Sequence, residues 1–369
     1  MTAAGSGTHA ISRWATAGSW LRPWRRPTGY VVVLAGAAAT GLAFGVWGDD
    51  RPRQRVAALD APPPQTDPGA LTAWGLPIVR LAVIVAVVGT VGMLAGALLL
   101  PREDGKPGAA ALRCLRSAAW AAVAWAVAMV ALLLWSWSDV RGIPVLQASI
   151  PQIFGPPAPY PAAVPYLYAA ALALVIAGAA AITRTVTGVL VVLLLCGYNV
   201  LPLTTRDQQV DSSILGPVVT VHVLAIAVWV GGLAALLAHA RRSPALLAVA
   251  LPRFNRLAPA CFVVVGAFGA AAAWINLGSA GALGASHFGT LVVYKAEALI
   301  ALGVFGWWAR RRVIADLRRA NGHRPFVRFA TIEVAVMVAT LGLGSALTHT
   351  TAPAVPDPTP KIVNPYLGH

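Results

Sequence analysis

The chain has 369 residues, of which 58% are hydrophobic and only 11% charged, and its mean hydropathy is strongly positive. A soluble domain of this length needs about a quarter charged residues to cover its surface, so the composition excludes that class and indicates a membrane protein. The net charge of +15 raises nucleic acid as a partner, but the placement of the basic residues argues against it.

A membrane-spanning helix needs roughly 20 mostly apolar residues. Nine such segments follow one another at approximately 30–48, 78–100, 118–137, 164–182, 186–203, 216–238, 258–276, 290–308 and 330–348. Backbone polar groups in lipid must be satisfied within the segment, and these runs are continuous rather than alternating, so each reads as a helix and not a barrel strand. The expected fold is all-α, a polytopic membrane helical bundle of about nine transmembrane helices. The first run is about 18 residues long, beyond the 7–15 of a signal-peptide core, and is read as a helix.

With the N-terminus placed in the cytoplasm and the segments alternating, the inside loops collect 20 of the 28 Lys and Arg residues. They include Arg13 to Arg26 before the first segment, Arg253 and Arg256 after the sixth, and Arg310 to Arg328 after the eighth. This positive-inside asymmetry predicts N-terminus in and C-terminus out. The basic charge is then a topology signal with membrane lipid as its partner, and no nucleic acid is called for.

The organisation expected is a basic cytoplasmic N-terminus (1–29) and a three-helix membrane part with Pro-rich outer surface loops (30–163). A six-helix part (164–352) and a linker-like tail (353–369) complete it. Cys114, Cys196 and Cys261 lie on helices at no metal-motif spacing and form no disulfide framework.

Ionisable residues in membrane helices cost roughly 2.5 to 3.5 kcal/mol each at the helix centre on insertion scales, so each marks a candidate site. His222 lies in VTVHVLAIAVWVGG, two turns before Trp229 and the Gly231-Gly232 pair. Lys295 and Glu297 lie on the eighth segment, and Glu333 is about one turn into the ninth. His287 precedes the eighth segment, His349 closes the ninth, and Asn276 ends the seventh. Alternation brings His222, His287, His349, Asn276 and Lys295 to the outer side. Each has a plainer alternative. His222 can be an interhelical hydrogen bond, Lys295 can snorkel or form a buried ion pair with Glu297 or with a partner on another helix, and Glu333 can pair with Arg328 or the loop arginines. Trp229 can be core packing, and the glycine pair can serve close helix approach. Imidazole suits copper and zinc, and Cys196, Cys261 and Met337 would add sulfur for Cu(I), although no H-x-x-x-H or C-x-x-C spacing occurs.

HVLAIAVWVGGLAAL, RFNRLA, GAAAAWINLGS, HFGTLVVYKAEALIAL with its ARRR exit, and IEVAVMVATLGLGSALTHTTAP together resemble the copper resistance protein D (CopD) family over about 216–353. The resemblance implies copper transport or copper delivery across the membrane, with no catalysis. His222, Trp229, Lys295 and Glu333 match the family's recurrent polar and aromatic positions. On this basis the expected metal residues are His222, His349 and His287. Lys295 and Glu333 are expected in charge balance or gating, and Trp229 and Asn276 pack nearby. Members from high-GC Gram-positive bacteria are often fused to a domain resembling cytochrome c oxidase assembly factors. The expected partners are therefore an extracytoplasmic copper chaperone or such factors. The alternatives are an accessory scaffold for oxidase assembly and a haem-b electron carrier, which requires two histidine ligands between helices.

Overall fold

The computed structural model describes residues 68–337 except 104–105, 156–159, 207–213, 242, 286 and 318–329. The 30–48 segment, the tail and His349 lie outside the described residues. Seven long helices are present. They are α1 (Ala70–Leu99), α2 (Ala109–Arg141), α4 (Ala163–Ile182), α5 (Val186–Arg206), α6 (Leu215–His239), α7 (Pro244–Leu277) and α9 (His287–Leu317). Short helices α3 (Ile150–Phe154) and α8 (Ala282–Ala285) sit in connections, and the final helical stretch, α10, covers 330–337. A two-stranded hairpin, Arg102–Glu103 with Lys106–Pro107, links α1 to α2. The chain is an all-α helical bundle, and among the described residues five helices are long and apolar enough to cross a membrane.

Helix α1 is central. Two thirds of its apolar window is buried, against 17% for that of α7, and it packs against α2, α5, α6 and α7. The closest approach is to α6. A Cβ on Gly92 would run into the Gly231 backbone, and one on Gly231 would run into the Val88 carbonyl and Gly92. One turn on, a Cβ on Gly96 would lie 2.5 Å from that of Ala235. Gly92 and Gly96 therefore face Gly231 and Ala235, a small-xxx-small pairing in which missing side chains let two backbones touch. Close approach is what the Gly231 of the Gly-Gly pair provides. One hydrophobic core runs from α1 and α2 through α4 to α7, α9 and α10, across the division expected at residue 164.

Two readings of connections are corrected. The stretch RFNRLA is helical rather than a loop, because α7 begins at Pro244 and runs through Pro252 and Pro259. Ser243 caps it by accepting the Leu246 N–H, and Pro244 sits in the first turn, where a missing N–H costs nothing. Likewise the Pro-rich stretch after α2 is not wholly surface. α2 stops at Gly142, whose φ of 68° suits a residue without a Cβ. Beyond it Val145 and Ile153 are buried, Ile153 packing with Leu133, Trp137 and Ala163.

Candidate functional site

His222 faces α7. Its Nδ1 lies 2.9 Å from the Val265 carbonyl oxygen. A carbonyl only accepts, so Nδ1 carries the proton and donates it, and the neutral ring keeps a lone pair on Nε2. The ring also rests on Gly269. A Cβ there would be 2.9 Å from Cε1 and 3.2 Å from Nδ1, so the absence of a side chain at 269 makes the space the imidazole occupies. Two turns further along α6, Trp229 meets Phe262 of α7 edge to face, with ring centroids 5.8 Å apart and planes at 86°. Gly232 lies near Phe254. The α6 sequence 222, 229, 232 thus runs against 265, 262, 254 in α7, an antiparallel pair in which His222 is the polar rung and Trp229 the aromatic one.

Helix α9 packs on the same face of α7. Leu299 touches the Gly266 position, and Phe262 fills the space beside Gly303. Residues 295, 299 and 303 are four apart and share one stripe of a helix, so Lys295 continues this face one turn beyond Leu299, at the level of Gly269. Lys295 is half-buried, and Glu297 is exposed. Residues two apart on a helix do not face each other, which disfavours the Lys295–Glu297 alternative. Glu333 is buried and lies beside Gly306, where a Cβ would be 3.4 Å from its Oε1. From residue 295 to 306 is about 16 Å of helix at 1.5 Å per residue, so Lys295 and Glu333 occupy separate levels.

The other expected members are placed as follows. Asn276 turns back on its own helix, its amide donating to the Ala272 carbonyl at 2.8 Å, and it stands about two turns beyond Gly269. His287 is the first residue of α9. Cys196, Cys261 and Met337 are buried on α5, α7 and α10. Among the described residues no group of three His, Cys, Asp or Glu side chains stands together to hold a metal ion. The described part of the site is thus one imidazole with its tautomer set, one ammonium, and an aromatic rung beneath them.

The family comparison falls on this same face. Residues 248–347 match the family model described as Copper resistance protein D. The match covers 100 of the 369 residues, and over that segment the chain is similar to the copper resistance protein D family. It spans most of α7, all of α9 and the described part of α10, and so includes Phe262, Val265, Gly269, Lys295 and Glu333. His222 and Trp229 lie outside the copper resistance protein D match and reach it by contact, through Val265, Gly269 and Phe262. No curated protein and no solved structure matches the chain.

Three polar contacts carry no signal in the sequence that singles them out. Arg253, on α7, donates to the Leu99 and Leu100 carbonyls at 3.0 Å each, closing the C-terminal end of α1. His239 Nε2, at the end of α6, is hydrogen-bonded to Ser117 Oγ of α2 at 3.2 Å. Asn199 of α5 is fully buried and donates to the Ala169 carbonyl of α4 at 3.1 Å. Each ties two helices together through a partner remote in the chain.

Proposed function

We propose that the chain moves copper across the cytoplasmic membrane, or hands it to an extracytoplasmic chaperone or oxidase assembly factor, with His222 Nε2 as the first ligand near the outer face. The observation that carries this reading is the bond from His222 Nδ1 into the matched segment at Val265. Histidines that bind metals through one nitrogen characteristically donate the other N–H to a carbonyl or carboxylate, which sets the tautomer and the ring orientation. An interhelical hydrogen bond and a metal ligand are therefore the same arrangement seen from the two nitrogens. A part-buried imidazole in hydrocarbon is costly without partners, and here one nitrogen is satisfied while the other keeps its lone pair.

In this reading the orientation is N-terminus in and C-terminus out, and nine spans alternate as the basic residues indicate. His287 and His349 supply further imidazoles from the outer side. Copper is the cargo. Below His222 it meets the Trp229–Phe262 rung, and Glu333, at its own level beside Gly306, provides a carboxylate deeper in the bundle. The test is cell-associated copper and copper sensitivity on expression of the wild-type chain and of His222→Ala. The variant is expected to lose the change in copper content that the wild type brings, and identical behaviour of the two would remove His222 from the function.

A further inference from the structure

Lys295 stands at the level that holds His222, and among the described residues of the surrounding helices no acidic side chain faces it. Between Asp211 and Asp316 the sequence contains one acidic residue, Glu297, which lies on the exposed face of α9, away from Lys295. Glu333 of α10 lies beside Gly306, about 16 Å along α9 from Lys295. Helix α6 contributes His222, held as the neutral Nδ1–H tautomer by Val265, and α7 contributes Val265, Gly266 and Gly269, none of them charged. Among the described residues Lys295 makes no hydrogen bond or ion pair, and the register of α9 on α7 sets it at the level of Gly269, on which the His222 ring rests. A bare copper cation placed on Nε2 would add a second positive charge to a low-dielectric layer already carrying one, and that repulsion is several-fold larger than in water.

We propose that the His222–Lys295 layer is an anion-binding site, and that copper enters it as an anionic Cu(I) complex rather than as the bare ion. This rests on the copper reading above and specifies the form of its cargo. A Cu(I) ion with two anionic ligands such as chloride carries a net charge of −1, so it is attracted to the Lys295 ammonium instead of repelled. On arrival one copper–chloride bond breaks and the copper–Nε2 bond of His222 forms. The released chloride stays beside Lys295, and copper remains Cu(I). Lys295 is a positioning residue for the complex and His222 is the ligand.

The full chain in lipid nanodiscs provides the test, with Cu(I) partitioned between the protein and a competing chelator. The competition cancels the effect of chloride on free copper. Replacing gluconate by chloride is expected to shift copper towards the wild-type protein by about tenfold, the scale of one charge interaction in a part-buried site. Lys295→Met should abolish the shift and Lys295→Arg should keep it. Chloride NMR line broadening in copper-free buffer reads the anion site separately, and it should vanish in Lys295→Met while persisting in His222→Ala. A partition indifferent to chloride in the wild type, together with no Lys295-dependent broadening, overturns the proposal and leaves the copper reading standing. Broadening that depends on Lys295 without copper binding in either buffer overturns the copper reading and leaves the anion site standing.

Discussion

At His222 two nearest neighbours decide what the imidazole can do. The Val265 carbonyl takes the Nδ1 proton, and Gly269 leaves the room that the ring fills. Gly269→Ala would press a methyl group to within 2.9 Å of Cε1, so the ring must turn or the helices must part. A protein repacked in this way is expected to lose roughly 1–3 kcal/mol of stability. It is also expected to bind copper more weakly than wild type, measured by thermal unfolding and by copper titration of the same preparation. The histidine itself was legible in the sequence, since a polar group in a run of hydrocarbon side chains stands out. Its partner was not. A backbone carbonyl has no residue type to mark it, and Gly269 stands in a run of small residues that gives no reason to prefer it. The Lys295–Glu297 alternative failed for a geometric reason, because a helix turns two-residue neighbours away from each other. Depth along the membrane does not say which way an amide points, and that of Asn276 turns back to the Ala272 carbonyl.

Among elements, the α1–α6 contact sets the bundle, since backbone meets backbone at Gly92 and Gly231. Gly231→Val should destabilise the protein by about 1–3 kcal/mol or more in reversible unfolding from mixed micelles, because the new side chain meets backbone that cannot move aside. Gly232→Ala is the internal control. Its Cβ would stand 3.6 Å from the Phe254 ring, an ordinary contact, and stability should change little. Arg253→Ala should cost on the order of 1 kcal/mol through loss of the two bonds to the end of α1, in the same assay. The helices themselves were legible from apolar run length, and α6 was placed to within a residue of its ends. The start of α7 was missed because two prolines and two arginines resemble a loop. A helix in a bundle tolerates internal proline where neighbouring groups satisfy the freed carbonyls, and it carries arginines where they reach a neighbouring helix end.

Across the whole molecule, one core joins the segments on both sides of residue 164, so the copper resistance protein D match at 248–347 is packed into a larger bundle rather than set apart from it. The positive-inside pattern predicts which side each connection faces. Leu146, which is 85% exposed after α2, should react as a cysteine with an impermeant thiol reagent from outside the cell. A cysteine at Lys106, in the hairpin between α1 and α2, should react only after permeabilisation. Cys114, Cys196 and Cys261 are free and buried, which keeps the background low. What sequence supplies at this scale is the succession of apolar runs and the resemblance over the segment that the family model matches. Which faces meet was written in the contacts of small residues, whose meaning appears only when both helices are in place. The central claim is that copper is held on His222 Nε2, and X-ray absorption at the copper edge of the purified, Cu(I)-loaded chain tests it most directly. The wild type is expected to show scattering from imidazole nitrogen that disappears in His222→Ala, whereas copper bound with an unchanged spectrum in that variant would contradict the account.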